Sequence, residues 1–174
     1  MKQFCMMLWL TVGLGAGFAS GAGANTEGEV TLEFTTAGAG GKYAPKHVLA
    51  VWITDARTNF VATVMRQASK HQKYLTAWNA AGGANSRVDG ITGATLPRHG
   101  TRKAVWNCRD SAGRVVGDGA YLFFIEFTEG NKPGPVAVVP FTIGAAGKEQ
   151  PITADHKNYS GLKVTFTPRG AATP

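Results

Sequence analysis

The 174-residue sequence holds 23 Gly, 8 Pro and 2 Cys, with 18 Lys and Arg against 11 Asp and Glu, a formal charge of +7. No internal apolar run reaches the roughly 20 residues of a membrane helix, and two cysteines make no disulfide framework. A multi-pass membrane protein, a disulfide-knotted miniprotein and a collagen-like rod are therefore excluded, and the length suits one domain around one core.

At the amino terminus Lys2 precedes an apolar stretch from Phe4 to Phe18, and small residues follow to Ala22, Gly23 and Ala24. A positive start, a stretch shorter than a membrane span and an Ala-x-Ala exit read as a secretory signal peptide over 1–24, cleaved after Ala24. The mature chain then has 150 residues, 17 basic and 11 acidic side chains, and a formal charge of +6. It is expected in the periplasm, with no integral membrane span after cleavage. Cys5 leaves with the leader, so Cys108 has no partner for a disulfide. It reads as a small side chain at a strand end or turn rather than a nucleophile.

From Val30 the dominant period is two: Val30, Leu32 and Phe34 alternate with Thr31, Glu33 and Thr35, the pattern of a strand with one buried face. Val48 to Thr54, Phe60 to Met65, Thr101 to Trp106, Ala120 to Phe127, Val136 to Ile143 and Leu162 to Thr167 are also β-branched or aromatic-rich and bounded by turn residues. About seven short strands predict an all-β, immunoglobulin- or fibronectin-like antiparallel sandwich over 25–167. Between Ala68 and Asn79 the spacing of Tyr74, Leu75 and Trp78 predicts one short amphipathic helix, placed as a crossover between the sheets. The segment Ala37 to Gly41 and the tail 168–174 read as flexible.

The stretch Trp106 to Tyr121 reads as a hairpin. Asp110 and Gly113 bracket a tight turn, Gly119 admits a second bend, and Trp106 faces Tyr121. This order of Trp, Asp-x-x-Gly and Gly-x-Tyr resembles the immunoglobulin-like domain of flagellar hook-cap proteins, which implies a sandwich without carrying a flagellar role over. With Tyr43 to Trp52, Phe60 to Thr63, Tyr74-Leu75-x-x-Trp78 and Val88 to Thr95, nearly the whole mature chain resembles the predicted periplasmic domain-of-unknown-function family 2271. That resemblance implies an exported single domain, sometimes linked to flavin- and iron-related membrane redox systems, with no catalytic residues to transfer.

One segment carries candidate chemistry. Asp89-Gly90-Ile91-Thr92-Gly93-Ala94-Thr95 is similar to the acceptor signature of proteins to which a flavin transferase attaches FMN through a phosphoester, with Thr95 as the acceptor hydroxyl. Gly93 and Ala94 keep the backbone thin, Asp89 and Thr92 are expected to pin a turn through side-chain hydrogen bonds, and Arg98, with Arg87 and Arg102, to neutralise the phosphodiester. Trp78 or Trp106 is expected to stack on the flavin. The competing reading is a structural turn with Gly93 at positive φ. Past Thr95 the chain continues Leu96-Pro97-Arg98-His99, a departure from the usual flavin carrier, which continues with Ser or Thr.

Other chemistry is weaker. His47, His71, His99 and His156 have no metal-ligand spacing, so no metal site is expected, and His99 with Cys108 is the one pair worth testing. No nucleophile elbow, zinc-protease helix or phosphate loop is present, and Asp89, His99 and Thr95 make no triad by spacing alone. The basic cluster Arg66, Lys70, His71 and Lys73 reads as a solvated helix face, since export argues against nucleic acid. The sequence thus predicts an exported, non-catalytic binding or accessory protein without a required cofactor, serving an envelope redox or metal-handling system. The alternatives are an electron-transfer protein with covalent FMN on Thr95, partnered by a flavin transferase and an envelope or inner-membrane redox protein, and a structural assembly protein of hook-cap type.

Overall fold

The computed structural model describes residues 24–144, 149, 150, 152 and 156–169. The signal peptide expected over 1–24 lies, apart from Ala24, outside the described residues, as does 170–174 of the expected tail. No helix among the described residues is long and apolar enough to cross a membrane.

All seven expected strands form: β1 (Gly28–Thr36), β2 (Val48–Asp55), β3 (Phe60–Gln67), β5 (Thr101–Trp106), β6 (Gly119–Thr128), β7 (Val136–Ile143) and β9 (Tyr159–Pro168). Two more join them, β4 (Val88–Gly93) and the two-residue β8 (Glu149–Gln150). One sheet runs in the order β5-β1-β9-β8 and the other in the order β4-β3-β2-β6-β7. Val30, Leu32 and Phe34 of β1 are completely buried and meet Leu49, Val51 and Ile53 of β2 together with Trp106, Phe123, Phe127 and Phe166. Each large apolar side chain taken from water in this way contributes about 1.5–3 kcal/mol before entropy is charged against it.

In the five-stranded sheet the central strand β2 is buried on both faces, whereas β7 alternates between buried and exposed residues. In β2 alternate residues Leu49, Val51 and Ile53 point into the sandwich, while Val48, Ala50 and Trp52 pack on the outside against Ala68, Leu75 and Trp78. The outer cover is the segment expected to be one helix. It folds as a 3-10 turn (Ser69–Tyr74), the five-residue helix α1 (Thr76–Ala80) and a second 3-10 turn (Gly83–Asn85). It joins β3 to β4, which pair in parallel within one sheet, so it crosses over one sheet's outer face and not between the sheets. A parallel pair requires such a crossover, and Leu75 and Trp78 supply its apolar underside.

Glu126 fastens the cover. Its side chain is completely buried, and its carboxyl accepts the N–H groups of Ala77 at 3.2 Å and Trp78 at 2.9 Å. Burial pushes this carboxyl above the usual range, against the opposing pull of those amides.

The stretch from Trp106 to Tyr121 is a corner between sheets and not a hairpin, because β5 pairs with β1 and β6 pairs with β2 and β7. The tight turn inside it forms as expected: Gly113 N–H donates to Asp110 O, Gly113 has φ of 81°, and Asp110 Oδ1 accepts the amides of Ala112 and Arg114. Trp106 and Tyr121 meet edge to face with centroids 5.7 Å apart, filling the space where the chain changes layers. The segment Ala37 to Gly41 and the first two residues of the tail, all expected to be flexible, make defined hydrogen bonds. Pro168 pairs with Gly28 inside β9 and Arg169 donates to Glu27, while Ala39 and Gly41 donate their amides to the Glu129 carboxylate.

Removing the Glu126 carboxyl leaves the buried Trp78 amide and the half-buried Ala77 amide without that acceptor. The Glu126→Ala variant is expected to lose about 2–4 kcal/mol in urea unfolding, with the loss confined to stability and the β-rich circular dichroism spectrum retained.

Candidate functional site

The strand registers gather four chain segments at one end of the sandwich. Pairing of Val48 with Thr128 sets His47, just before β2, beside Glu129, just after β6. His47 also bridges Leu96 in both directions, N–H to O at 3.0 Å and O to N–H at 2.8 Å, which ties the β4–β5 connection to the start of β2 and places Thr95 next to it. The end of β1 and the loop after it complete the gathering through Thr36, Ala39 and Gly41.

Glu129, 3 % exposed, is the hub. Its Oε2 accepts the amides of Ala39 at 2.8 Å and Gly41 at 3.0 Å, and its Oε1 accepts His99 Nε2–H at 2.6 Å. Burial alone raises its carboxyl, but the Gly41 amide, His99 and the Ala39 amide outweigh that and hold it below the usual carboxylate range. A carboxylate has no proton to offer, so His99 carries its hydrogen on Nε2 and turns Nδ1 to the Thr36 hydroxyl at 3.0 Å.

His99 stacks face to face on His47, with centroids 4.0 Å apart and planes 2° from parallel, and Phe127 presses edge-on against both rings. His47 is 1 % exposed. Its Nδ1–H donates to the Pro45 carbonyl at 3.1 Å, which leaves Nε2 a bare lone pair with no partner. Burial, followed by the charges of His99 and Arg102, lowers its pKa to about 4 against the pull of Pro45 and Glu129, so the ring is neutral near pH 7.

Beside this network lies a cavity of about 430 Å3. Tyr43 and Lys46 line it from the loop before β2, His71 and Tyr74 from the 3-10 turn of the crossover, His47 from its floor, and Thr95 from the β4–β5 connection. Tyr43 is 46 % exposed and Thr95 is exposed, so the cavity opens to solvent. Lys42 Nζ stands 5.6 Å from the centre of the Tyr43 ring and Lys73 Nζ 5.1 Å from that of Tyr74, so each of the two lining tyrosines carries a cation over its ring. The one carboxylate on the lining, Glu129, is already satisfied by three donors.

The expected acceptor segment is mostly strand. Asp89, Thr92 and Gly93 lie on β4, an edge strand parallel to β3 with Thr92 opposite Arg66 and Gly93 opposite Gln67, and Ala94 and Thr95 follow it exposed. Neither Asp89 nor Thr92 pins a turn by a side-chain hydrogen bond among the described residues, because strand pairing already fixes the backbone there. Gly93 is not in the left-handed region. A Cβ on it would meet only the tip of the flexible Gln67 side chain, which can swing aside, so neither turn geometry nor close packing demands glycine there.

The expected helpers of Thr95 are elsewhere. Trp78 and Trp106 are completely buried and bonded to Thr63 and Arg109, so neither can stack on a ligand. Arg87 precedes β4, whose six residues hold it roughly 20 Å from the strand's far end. Arg98 is exposed and, like Arg102, lies off the cavity lining; its carbonyl accepts Arg102 Nη2. Lys46 and His71 are the basic groups on the cavity. His99 is committed to Glu129, Thr36 and His47 and not to Cys108, which is buried in the core with its thiol pushed up to about 11, first by burial and then by Asp118 and Glu29. No cluster of three or more metal-ligating side chains occurs among the described residues.

The His47 shift fixes a pH dependence. A base whose pKa is depressed by folding contributes stability above its unfolded value near 6.5, and that contribution is lost as pH falls toward 4. In urea unfolding, the stability gap between the native protein and His47→Phe is expected to shrink by about 2–3 kcal/mol between pH 7 and pH 4. An unchanged gap would mean that the ring is not buried neutral.

No curated protein and no solved structure matches the chain. One family model does, over residues 28–161, a span that begins with β1 and ends within β9 and takes in Tyr43, His47, Tyr74, Thr95, His99 and Glu129. Strands β1 to β8, the helical cover and the site at the sandwich's end fall inside that match, and the chain belongs to the family described as predicted periplasmic protein, DUF2271.

Proposed function

We propose that this periplasmic-family sandwich is a non-catalytic electron-carrying accessory of an envelope redox system, with FMN esterified to Thr95. The observation that carries the reading is the position of Thr95: an exposed hydroxyl, immediately past an edge strand, on the lining of the cavity of about 430 Å3. A modified residue must enter another enzyme's active site, and Thr95 follows the exposed Ala94 and is itself exposed, with the half-buried Leu96 after it held to His47 by two backbone hydrogen bonds.

The residues present fit the group. Tyr43 and Tyr74 give the cavity aromatic walls, and Lys46 on the lining, with Lys42 and Lys73 over the two tyrosine rings, supplies positive charge suited to a phosphodiester. In the attachment step Thr95 Oγ bonds to the FMN phosphorus of flavin adenine dinucleotide, the pyrophosphate bond breaks, AMP leaves, and the hydroxyl proton passes to a base of the flavin transferase. The bound flavin supplies reversible electron exchange with a membrane or envelope redox partner, while the sandwich supplies position.

Coexpression of the mature protein with an active flavin transferase, followed by intact mass measurement, is expected to show the mass increase of one FMN phosphodiester. Thr95→Ala is expected to remove it completely. An unmodified native protein from cells in which the transferase modifies a control acceptor overturns the reading.

A further inference from the structure

We propose that the flavin ring carried on Thr95 does not hang in solvent but seats in the cavity walled by Tyr43 and Tyr74, so that the apo protein binds free FMN there without any covalent bond. This rests on the flavinylation reading for its choice of ligand, and on four features of the cavity for its chemistry.

The first is size: about 430 Å3 lies in the range of roughly 300–1,000 Å3 typical of pockets that bury a small molecule. The second is the pair of tyrosines on separate segments, the loop before β2 and the crossover turn, which offer flat apolar surface to a planar heterocycle. Tyr43 is 46 % exposed, a large aromatic surface left unburied by a fold that buries its three described tryptophans completely. The third is charge. Lys46 lies on the lining and Lys42 and Lys73 stand over the rings of Tyr43 and Tyr74, against a single lining carboxylate, Glu129, so positive charge on and beside the cavity outnumbers negative and favours an anion. The fourth is tether: Thr95 lines the same cavity, and a group esterified to its hydroxyl starts at the rim.

The seat also accounts for the crossover's placement. His71 and Tyr74 stack with centroids 6.3 Å apart on the turn that covers the outer face of β2, so the element that completes the fold also forms one wall. Stacking on the two tyrosines is the specific part of the binding, and the lysines supply attraction that weakens with salt.

The test uses the mature Thr95→Ala protein, which cannot be esterified, titrated with free FMN while flavin fluorescence is followed. Saturable quenching is expected, because an aromatic ring in contact with the excited flavin quenches it by electron transfer. Adding Tyr43→Leu and Tyr74→Leu is expected to weaken the dissociation constant by roughly 5- to 100-fold, the factor that two stacking contacts provide. Tyr74 is half-buried, so Tyr43→Leu alone, at an exposed position, is the second variant, with a loss of about 3-fold or more. Absence of saturable quenching by a folded Thr95→Ala protein, or equal affinity in the folded tyrosine variants, overturns the seat. These outcomes are separate from the mass measurement: an unmodified Thr95 with FMN still bound at the tyrosines defeats the ester and keeps the seat, and a modified Thr95 with unquenched flavin does the reverse.

Discussion

The double-sided burial of β2 is the constraint from which the rest of the architecture follows. Val48, Ala50 and Trp52 on its outer face would sit in water in a bare two-sheet sandwich, and Trp52 alone carries one of the largest apolar surfaces in the protein. The chain meets that cost by laying the segment from Ala68 to Ser86 across the sheet and anchoring it with Leu75, Trp78 and the buried Glu126 carboxyl. A segment that leaves β3 and crosses the sheet face returns parallel, and so β4 becomes an edge strand beside β3. Its end then delivers Leu96 to His47 and Thr95 to the cavity.

The polar network at the same end is the second consequence. His47 and Glu129, both buried, and the half-buried His99 are forced together by the register of β2 on β6 and the return from β4. Nearly every polar atom there has a partner, from the paired amides on Glu129 to the Thr36 hydroxyl on His99. Satisfied networks of this kind specify one arrangement of loops, because any slip leaves charges or donors stranded in a low dielectric. The exception is His47 Nε2, neutral and bare. Here the network serves as a rigid back wall, which lets the more exposed groups, Tyr43, Tyr74, Lys46 and Thr95, be presented in fixed relation to one another.

Much of this was legible beforehand, for reasons that can be stated residue by residue. Period-two alternation in β1, the β-branched and aromatic runs of the other long strands, and the Asp110–Gly113 turn are local patterns that report backbone conformation directly. The parallel strand β4 was not, because Val88 to Gly93 carries two glycines, little apolar surface and no alternation, and it is a strand only through its pairing with β3. The same blindness made Trp106 to Tyr121 read as a hairpin: a tight turn between two strands fixes direction but not which sheet each strand joins. Glu129 gave no signal, since an acidic residue before Gly130 looks like any solvated turn until the amides of Ala39 and Gly41 are placed upon it.

Sequence alone therefore determined the all-β class, the positions of the seven long strands and the family. Tertiary structure decided what shares a cavity with the Thr95 hydroxyl: Tyr43, Lys46, His47, His71 and Tyr74 in place of the buried tryptophans and distant arginines. The reason is physical. Strand propensity and turn chemistry are written in neighbours along the chain, whereas a cavity is written in the register of strands whose partners lie many tens of residues apart, as His47 and Glu129 do.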